Sequence, residues 1–323
     1  MASQPRITII GAGFVGTSLG LGLVKARSQG GSYEIIGHDR DANISGAAKK
    51  RGAVDRVEWN LPASVEGADM VFLATPIDEM EAIFEIIAPV LKPGVILTDT
   101  GGTKAEVMQW AAARLPATVN FIGGDPLLGR DGWRADEASA DAFQDTLYCL
   151  TPAINADADA IRILADFVSS LGAQPYFLDP LEHDGIAGGV THLPFLMSWA
   201  LVRALANSPS WPEAQKSAGV NTMMLASLVG ASPSYWAGPA LTNATALGHW
   251  IDAAVRELQA LQGALAAGDP DEIRGGLDKA GADYLKLVAR GREEHNPLQD
   301  VGRDRMRQMF LGSLGAKRRD KGN

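Results

Sequence analysis

The first residues with the means to do chemistry are Gly11-Ala12-Gly13-Phe14-Val15-Gly16. Glycines at this spacing, directly after a β-branched run and directly before a helix-period segment, form the turn that cradles a dinucleotide pyrophosphate. Gly11 makes the turn, Gly13 lets backbone approach the phosphates, and Gly16 lets helix and strand pack. The helix start at Phe14 and Val15 supplies N–H donors. Asp39, at the end of the second predicted strand, stands where a carboxylate accepts hydrogen bonds from the adenosine ribose, which favours NAD. Arg40 follows at once and suits a 2′-phosphate, so NADP stays open. Ala74-Thr75-Pro76 closes a further strand on the same side and is expected to line the nicotinamide half.

These residues need a scaffold, and the chain spells one. Arg6–Ile10, Tyr33–Gly37, Asp69–Ala74 and Gly94–Thr98 are short apolar runs whose continuity predicts parallel strands buried on both faces. Thr17–Lys25 and Ile77–Leu91 carry helical spacing between them, the second stopping at Lys92-Pro93-Gly94. Phe121–Gly123 and the stretch around Tyr148 continue the sheet, Asp157–Leu171 is helical, and Gln174–Leu178 is the expected last strand. After Asp179 the sequence is rich in alanine and leucine at helical spacing, with predicted helices at Leu181–Ala206, Gln215–Val229, Ala240–Ala267 and Asp271–Arg290. Trp236, Trp250 and Leu258 fall on their expected packed faces. The fold class is therefore α/β: a doubly wound Rossmann sheet over residues 1–179, then an all-α domain over 180–296. A basic tail, 297–323, is expected to be solvated or disordered.

Composition narrows the partners. With 29 Lys and Arg against 38 Asp and Glu the net charge is −9, which repels nucleic acid. The single cysteine, Cys149, has no internal disulfide partner and reads as core. No apolar run reaches the roughly 20 residues of a membrane span, and no signal-peptide pattern opens the chain, so a cytoplasmic protein is expected. The histidines and the cysteine show no metal-ligand spacing, so no metal is expected.

The order of motifs resembles the prephenate and arogenate dehydrogenase family of tyrosine biosynthesis, up to about Arg290. After the glycine loop and Ala74-Thr75-Pro76, Asp99-Thr100-Gly101-Gly102-Thr103-Lys104 looks like the family's Asp-x-x-Ser-x-Lys, and Thr100 and Gly101 count with the cofactor contacts. Gly124-Asp125-Pro126-Leu127-Leu128-Gly129 is similar to its Gly-His-Pro-Met-x-Gly turn. Glu182-His183-Asp184 with Ala187 and Thr191-His192-Leu193-Pro194 look like its His-Asp and Ser-His-Leu-Pro segments, and Pro233, Trp236 and Asn243 resemble a later helical signature. The resemblance implies hydride transfer from a small cyclic or anionic substrate in an interdomain cleft, and a homodimer built by the helical half.

The departures fall on the chemistry. The family's proton-accepting histidine corresponds to Asp125, its supporting serine to Gly102, and its carboxylate-binding arginine to Ser227. His192 matches the family's substrate-site histidine, and Thr191 keeps the hydroxyl of the serine before it. Arg130, just past the altered turn, could replace the lost clamp or simply pair with Asp131. Loss of a well-placed base costs roughly 10²–10⁴ in rate, so poor turnover of prephenate itself is expected. Two readings result: an NAD(P)-dependent oxidoreductase with Asp125, His192, Thr191 and Arg130 at its catalytic centre, or a dinucleotide-binding sensor or partner subunit that has lost catalysis.

Overall fold

The computed structural model describes residues 4–28, 30–128, 135–230 and 233–290. Its first half is an eight-stranded sheet in the order β3-β2-β1-β4-β5-β6-β7-β8. The strands are β1 (Arg6–Ile10), β2 (Glu34–His38), β3 (Arg56–Val57), β4 (Met70–Leu73), β5 (Ile96–Asp99), β6 (Asn120–Pro126), β7 (Leu147–Pro152) and β8 (Gln174–Phe177). The first six run parallel. β7 pairs antiparallel to β6 and parallel to β8, so the last two strands run the other way. The reversal is not encoded in apolar spacing, which reads burial and not direction.

The strands are apolar throughout because both faces are covered. Ile7, Ile9, Met70, Phe72, Ile96 and Ile122 join one core, while Ile10, Val71, Leu73, Leu97 and Phe121 join the other. α1 (Phe14–Arg27) and, later, α6 (Ala158–Ser170) cover the first face through Leu19, Leu23, Leu164 and Phe167. Between α1 and α6 come α2 (Ala42–Lys50), α3 (Leu61–Val65), α4 (Met80–Ile87) and α5 (Ala105–Arg114). The second face is covered by α3, α4 and α5 through Val65, Phe84, Ile87 and Val107. The predicted helix Ile77–Leu91 is in fact a 3₁₀ turn, then α4, then a second 3₁₀ turn containing Pro89. Proline lacks the N–H that would continue the α ladder. Cys149 is buried in β7, and burial pushes its thiol up to about 12, which leaves it inert.

Past β8, Asp179 caps α7 (Pro180–Ala187) by accepting from the backbone N–H of Leu181. The chain then makes a π turn, Gly188–His192, before α8 (Leu193–Ala206). The predicted uninterrupted helix Leu181–Ala206 is thus broken in register at the π turn, where Gly188 and Gly189 lie under the Trp250 ring. α9 (Trp211–Ser217) and α10 (Val220–Gly230) replace the single predicted helix Gln215–Val229. α11 (Pro233–Thr242) and α12 (Ala244–Ala267) replace Ala240–Ala267, with the break at Asn243; α13 (Pro270–Arg290) follows.

The run Pro180–Ala206 is long and apolar enough to cross a membrane by length and composition, contrary to the sequence expectation. It buries the polar side chains His183, Asp184 and His192, the first two against the sheet domain, although only 22% of its apolar window is buried. Leu258, expected on a packed face, is instead 53% exposed, as are many apolar residues of α8, α10, α12 and α13. The expected basic tail lies outside the described residues.

Candidate functional site

The glycine loop is held by its own backbone. Gly11 has φ +92°, in the left-handed region, and a Cβ there would stand 2.4 Å from the Ala74 carbonyl oxygen. A Cβ on Gly16 would stand 1.8 Å from the Gly11 carbonyl oxygen, so Gly16 closes the loop on itself and does not face the cleft. Around Gly13 the space is open: a Cβ there meets nothing within 4 Å.

That open space belongs to a cleft of about 470 Å³ along the C-terminal edge of the sheet. Gly11, Gly13, Phe14, Val15, Asp39, Arg40, Ala74, Thr75, Pro76, Thr100 and Gly101 all line it. Eleven of the twelve expected cofactor residues are therefore brought together, with Gly16 behind them. Gly102 and, from the helical half, Pro239 complete the wall, as do His38 and Glu79, which sequence reasoning did not select.

Asp39 has a double task. Its Oδ2 accepts from Ala12 N at 2.7 Å and its Oδ1 from Asp41 N at 2.9 Å, so it braces the glycine loop while facing the cleft. A carboxylate has about four lone-pair positions, which leaves room for further donors such as ribose hydroxyls. Arg40 is engaged: its Nη1 donates to Glu79 Oε1 at 2.5 Å. The buried hydroxyl of Thr75 has no hydrogen-bond partner. An open cradle at Gly13, a carboxylate at Asp39 and an orphaned hydroxyl at Thr75 suit the phosphates, ribose and amide of a dinucleotide.

Beside the cleft lies a buried ionic network. At the end of β5, Asp99 pairs with the fully buried ammonium of Lys104 and accepts from Gly101 N at 2.8 Å and Gly124 N at 3.0 Å. Lys104 Nζ also donates to the Gly124 carbonyl at 2.7 Å. On the adjacent strand, Asp125 Oδ2 stands 3.1 Å from His183 Nε2, and His183 Nδ1 stands 2.9 Å from Asp184 Oδ1. Asp184 in turn accepts from Lys104 N at 2.6 Å and Ala105 N at 2.9 Å, capping α5 across the domain boundary. Burial opposes the charge on His183. Its hydrogen bonds to Asp125 and then to Asp184 outweigh it, and its pKa stands above the ordinary 6.5.

His192 shares this neighbourhood. It is buried, its Nδ1 is 3.3 Å from Asn243 Nδ2, and its ring meets Trp236 edge-on at 6.1 Å. Desolvation holds its pKa below 6.5 despite Asp125 and Asp184, so it sits as a neutral imidazole. Thr191 is half-buried in the π turn. Ser227, where the resemblance places an arginine, is exposed on α10 and its hydroxyl turns back to the Met224 carbonyl at 2.7 Å. Arg130 and Asp131 lie outside the described residues. His183 is the residue that sequence reasoning passed over; its only signal was membership of the Glu182-His183-Asp184 motif, and nothing local revealed that Asp125 would meet it. Among the described residues no cluster of His, Cys, Asp and Glu could hold a metal ion.

Comparison with known proteins gives matching results for both halves. The profile described as "Prephenate dehydrogenase, nucleotide-binding domain" matches residues 24–177, and "Prephenate dehydrogenase, dimerization domain" matches 179–279. A prephenate dehydrogenase of Lactococcus lactis is 34% identical over 200 residues, covering 61% of this chain and 53% of the relative, so the match spans about half of that relative's length. A cyclohexadienyl dehydrogenase of Zymomonas mobilis is 29% identical, covering 83% of this chain and 91% of the relative. Among solved structures, Aquifex aeolicus prephenate dehydrogenase in complex with hydroxyphenyl propionate and NAD+ superposes with a TM-score of 0.81 at 21% identity, covering 88% and 99% of the two chains. That likeness shows the fold. Synechocystis arogenate dehydrogenase gives 0.72 at 26% identity, covering 87% and 99%.

Proposed function

The chain belongs to the prephenate dehydrogenase family, and on that premise we propose that it is an NAD-dependent dehydrogenase oxidising a small cyclohexadienyl acid of the prephenate or arogenate type. One observation carries the reading. The cleft lined by the glycine loop, Asp39 and Thr100–Gly102 ends beside a buried, hydrogen-bonded carboxylate, Asp125, on the neighbouring strand. Gly11, Gly13, Phe14 and Val15 would hold the pyrophosphate, with Gly16 supporting their turn. Asp39 would hold the adenosine ribose, and Ala74, Thr75, Pro76, Thr100 and Gly101 the nicotinamide half. The nicotinamide, when bound, supplies the hydride acceptor.

The chain's own groups divide the remaining work. Asp125 accepts the proton of the substrate hydroxyl; His192, neutral and buried against Trp236, and Thr191 form the substrate side. Arg130 is our candidate for the carboxylate clamp, since a guanidinium grips a carboxylate through two parallel hydrogen bonds. The names of the relatives weigh for an enzyme over the sensor reading.

The nucleotide preference follows from Arg40. Its pairing with Glu79 draws the Arg40 guanidinium away from a 2′-phosphate and places a carboxylate beside it, so NAD+ should bind more tightly than NADP+. Glu79→Gln should release Arg40 and improve NADP+ affinity by about 2- to 5-fold while leaving NAD+ nearly unchanged, the scale expected of an exposed ion pair. Isothermal titration with both nucleotides checks this; equal affinities in the wild type would remove the preference. Asp39→Ala is the blunter probe, because it takes away the brace on Ala12 together with the ribose acceptor.

Assembly belongs to the same proposal. Val190, Trp199, Met224, Leu225, Leu258 and Leu285 are exposed apolar side chains of the helical half, more than half exposed each, and the dimerisation profile covers them up to residue 279. We read them as the face of a two-fold homodimer in the cytoplasm. Light scattering should give about twice the 34.1 kDa chain mass at micromolar concentration, and a monomer mass would contradict it.

A further inference from the structure

We propose that the proton acceptor of this site is a relay, with His183 as the positioning residue that takes up, through Asp125, the proton released by the substrate hydroxyl. The inference rests on the reading of the site as a dehydrogenase site. Its basis is geometric: one imidazole, 1% exposed at the side chain, reaches a carboxylate with each ring nitrogen. Asp184 cannot turn away, because two backbone N–H groups at the start of α5 hold it. It therefore fixes the Nδ1 hydrogen and points Nε2 at Asp125.

In the proton-poor state His183 is neutral, with its hydrogen on Nδ1 toward Asp184, so the Nε2 lone pair faces the Asp125 carboxylate with no hydrogen between them, and a proton placed on Asp125 or Nε2 restores the hydrogen bond. The substrate O–H bond breaks with its electron pair left on oxygen. The proton goes to the Asp125 carboxylate and from there to Nε2. The product of the relay is an imidazolium donating to both carboxylates, and its proton later leaves by the same route. The carbon that bears this oxygen loses its hydrogen as hydride, with the nicotinamide ring as its acceptor, and the pair left on oxygen closes the C=O bond, so charge and electrons balance. A carboxylate acting alone has an ordinary pKa near 4 and is a weak base at neutral pH. An imidazole behind it brings the acceptor close to the working pH.

Every charged or titratable neighbour of His183 bears on the sign. Asp125 from β6 and Asp184 from α7 favour the imidazolium, whereas Lys104 at the start of α5 opposes it. Lys104 is itself neutralised by Asp99 from β5, and His192 from the π turn is neutral. The imidazolium thus persists to a pH above 6.5, and activity should rise with pH as it loses its proton.

The test has two arms. In the first, proton-detected imidazole NMR on the isotope-labelled full chain, without substrate or nucleotide, should show one buried histidine titrating above 6.5, with its midpoint lowered in both Asp125→Asn and Asp184→Asn. A His183 that is already neutral below 6.5, or that is indifferent to both substitutions, overturns the relay. In the second arm, kcat/KM with prephenate and with arogenate is followed against pH. Wild type should show an ascending limb above 6.5. His183→Gln keeps an amide donor toward Asp125 but cannot titrate, so the limb should vanish and kcat fall by about 10²-fold or more. A merely structural histidine would leave the limb in place in His183→Gln, and that result also overturns the proposal. If His183→Gln does not fold, the NMR arm decides alone. A chain that shows the NMR titration yet oxidises neither compound sinks the dehydrogenase reading; a chain that oxidises one of them with His183 neutral throughout sinks the relay.

Discussion

Gly13→Val should leave a folded protein that no longer binds NAD+, while Gly16→Ala should damage the fold itself. The contrast comes from what each added side chain meets. At Gly13 there is open cleft, so valine costs the free protein little and occupies only the volume that the pyrophosphate needs. The expected loss is about 10²-fold or more in affinity, upward of about 2.7 kcal/mol. At Gly16 even one carbon collides with the Gly11 carbonyl that shapes the loop. Overpacking of this kind costs about 1–3 kcal/mol or more, which lowers the melting temperature by roughly 3–10 °C in a domain of this size. Calorimetric titration with NAD+ and thermal unfolding of each variant check the pair. A Gly13→Val protein that binds NAD+ normally would remove the pyrophosphate from this loop.

Asp125→Asn should keep nucleotide affinity within a factor of about two and lower turnover by roughly 10²–10⁴, or about 3–5.5 kcal/mol of transition-state stabilisation. Asp125 lies off the dinucleotide cleft, on the strand beyond its wall, so binding is spared. Asparagine fills the same volume and its amide N–H can donate to His183 Nε2, but it cannot take a proton. Asp125→His is expected to recover little, because the serine and arginine equivalents at Gly102 and Ser227 are still missing and residues that act as a unit are not additive. Nucleotide titration beside steady-state rates separates the two effects. Full activity of Asp125→Asn would show that the proton goes elsewhere.

The sheet and the cofactor cleft were legible because each rests on local chemistry. Gly11 and Gly16 mark places where no side chain can fit, and Asp39 and Thr75 follow strands whose apolar runs announce them. The reversal of β7 and β8 was not legible, since Tyr148 and its neighbours read as a buried strand in either direction. Nor was the register break between α7 and α8: Gly188 and Gly189 look helical by spacing, and the Trp250 ring that lies against them in the π turn comes from a distant helix. The centre of the site was half visible. Asp125 stood out as a departure from the family pattern, yet its partner His183 lies 58 positions away, and only the fold brings α7 onto the end of β6. Long-range pairing of polar groups leaves no periodicity to read. Arg40 looked free in sequence for the same reason, with Glu79 supplied from the other side of the cleft.

The central claim is that this chain oxidises a cyclohexadienyl acid at the expense of NAD+, and the most direct test is the rate at which the purified full chain forms NADH from prephenate or arogenate. NADH should form with at least one of the two, slowly with prephenate, and roughly 10²–10⁴-fold more slowly in Asp125→Asn while that variant still binds NAD+. A wild-type chain that binds NAD+ yet forms no NADH from either acid would contradict the dehydrogenase reading and leave a dinucleotide-binding sensor in its place.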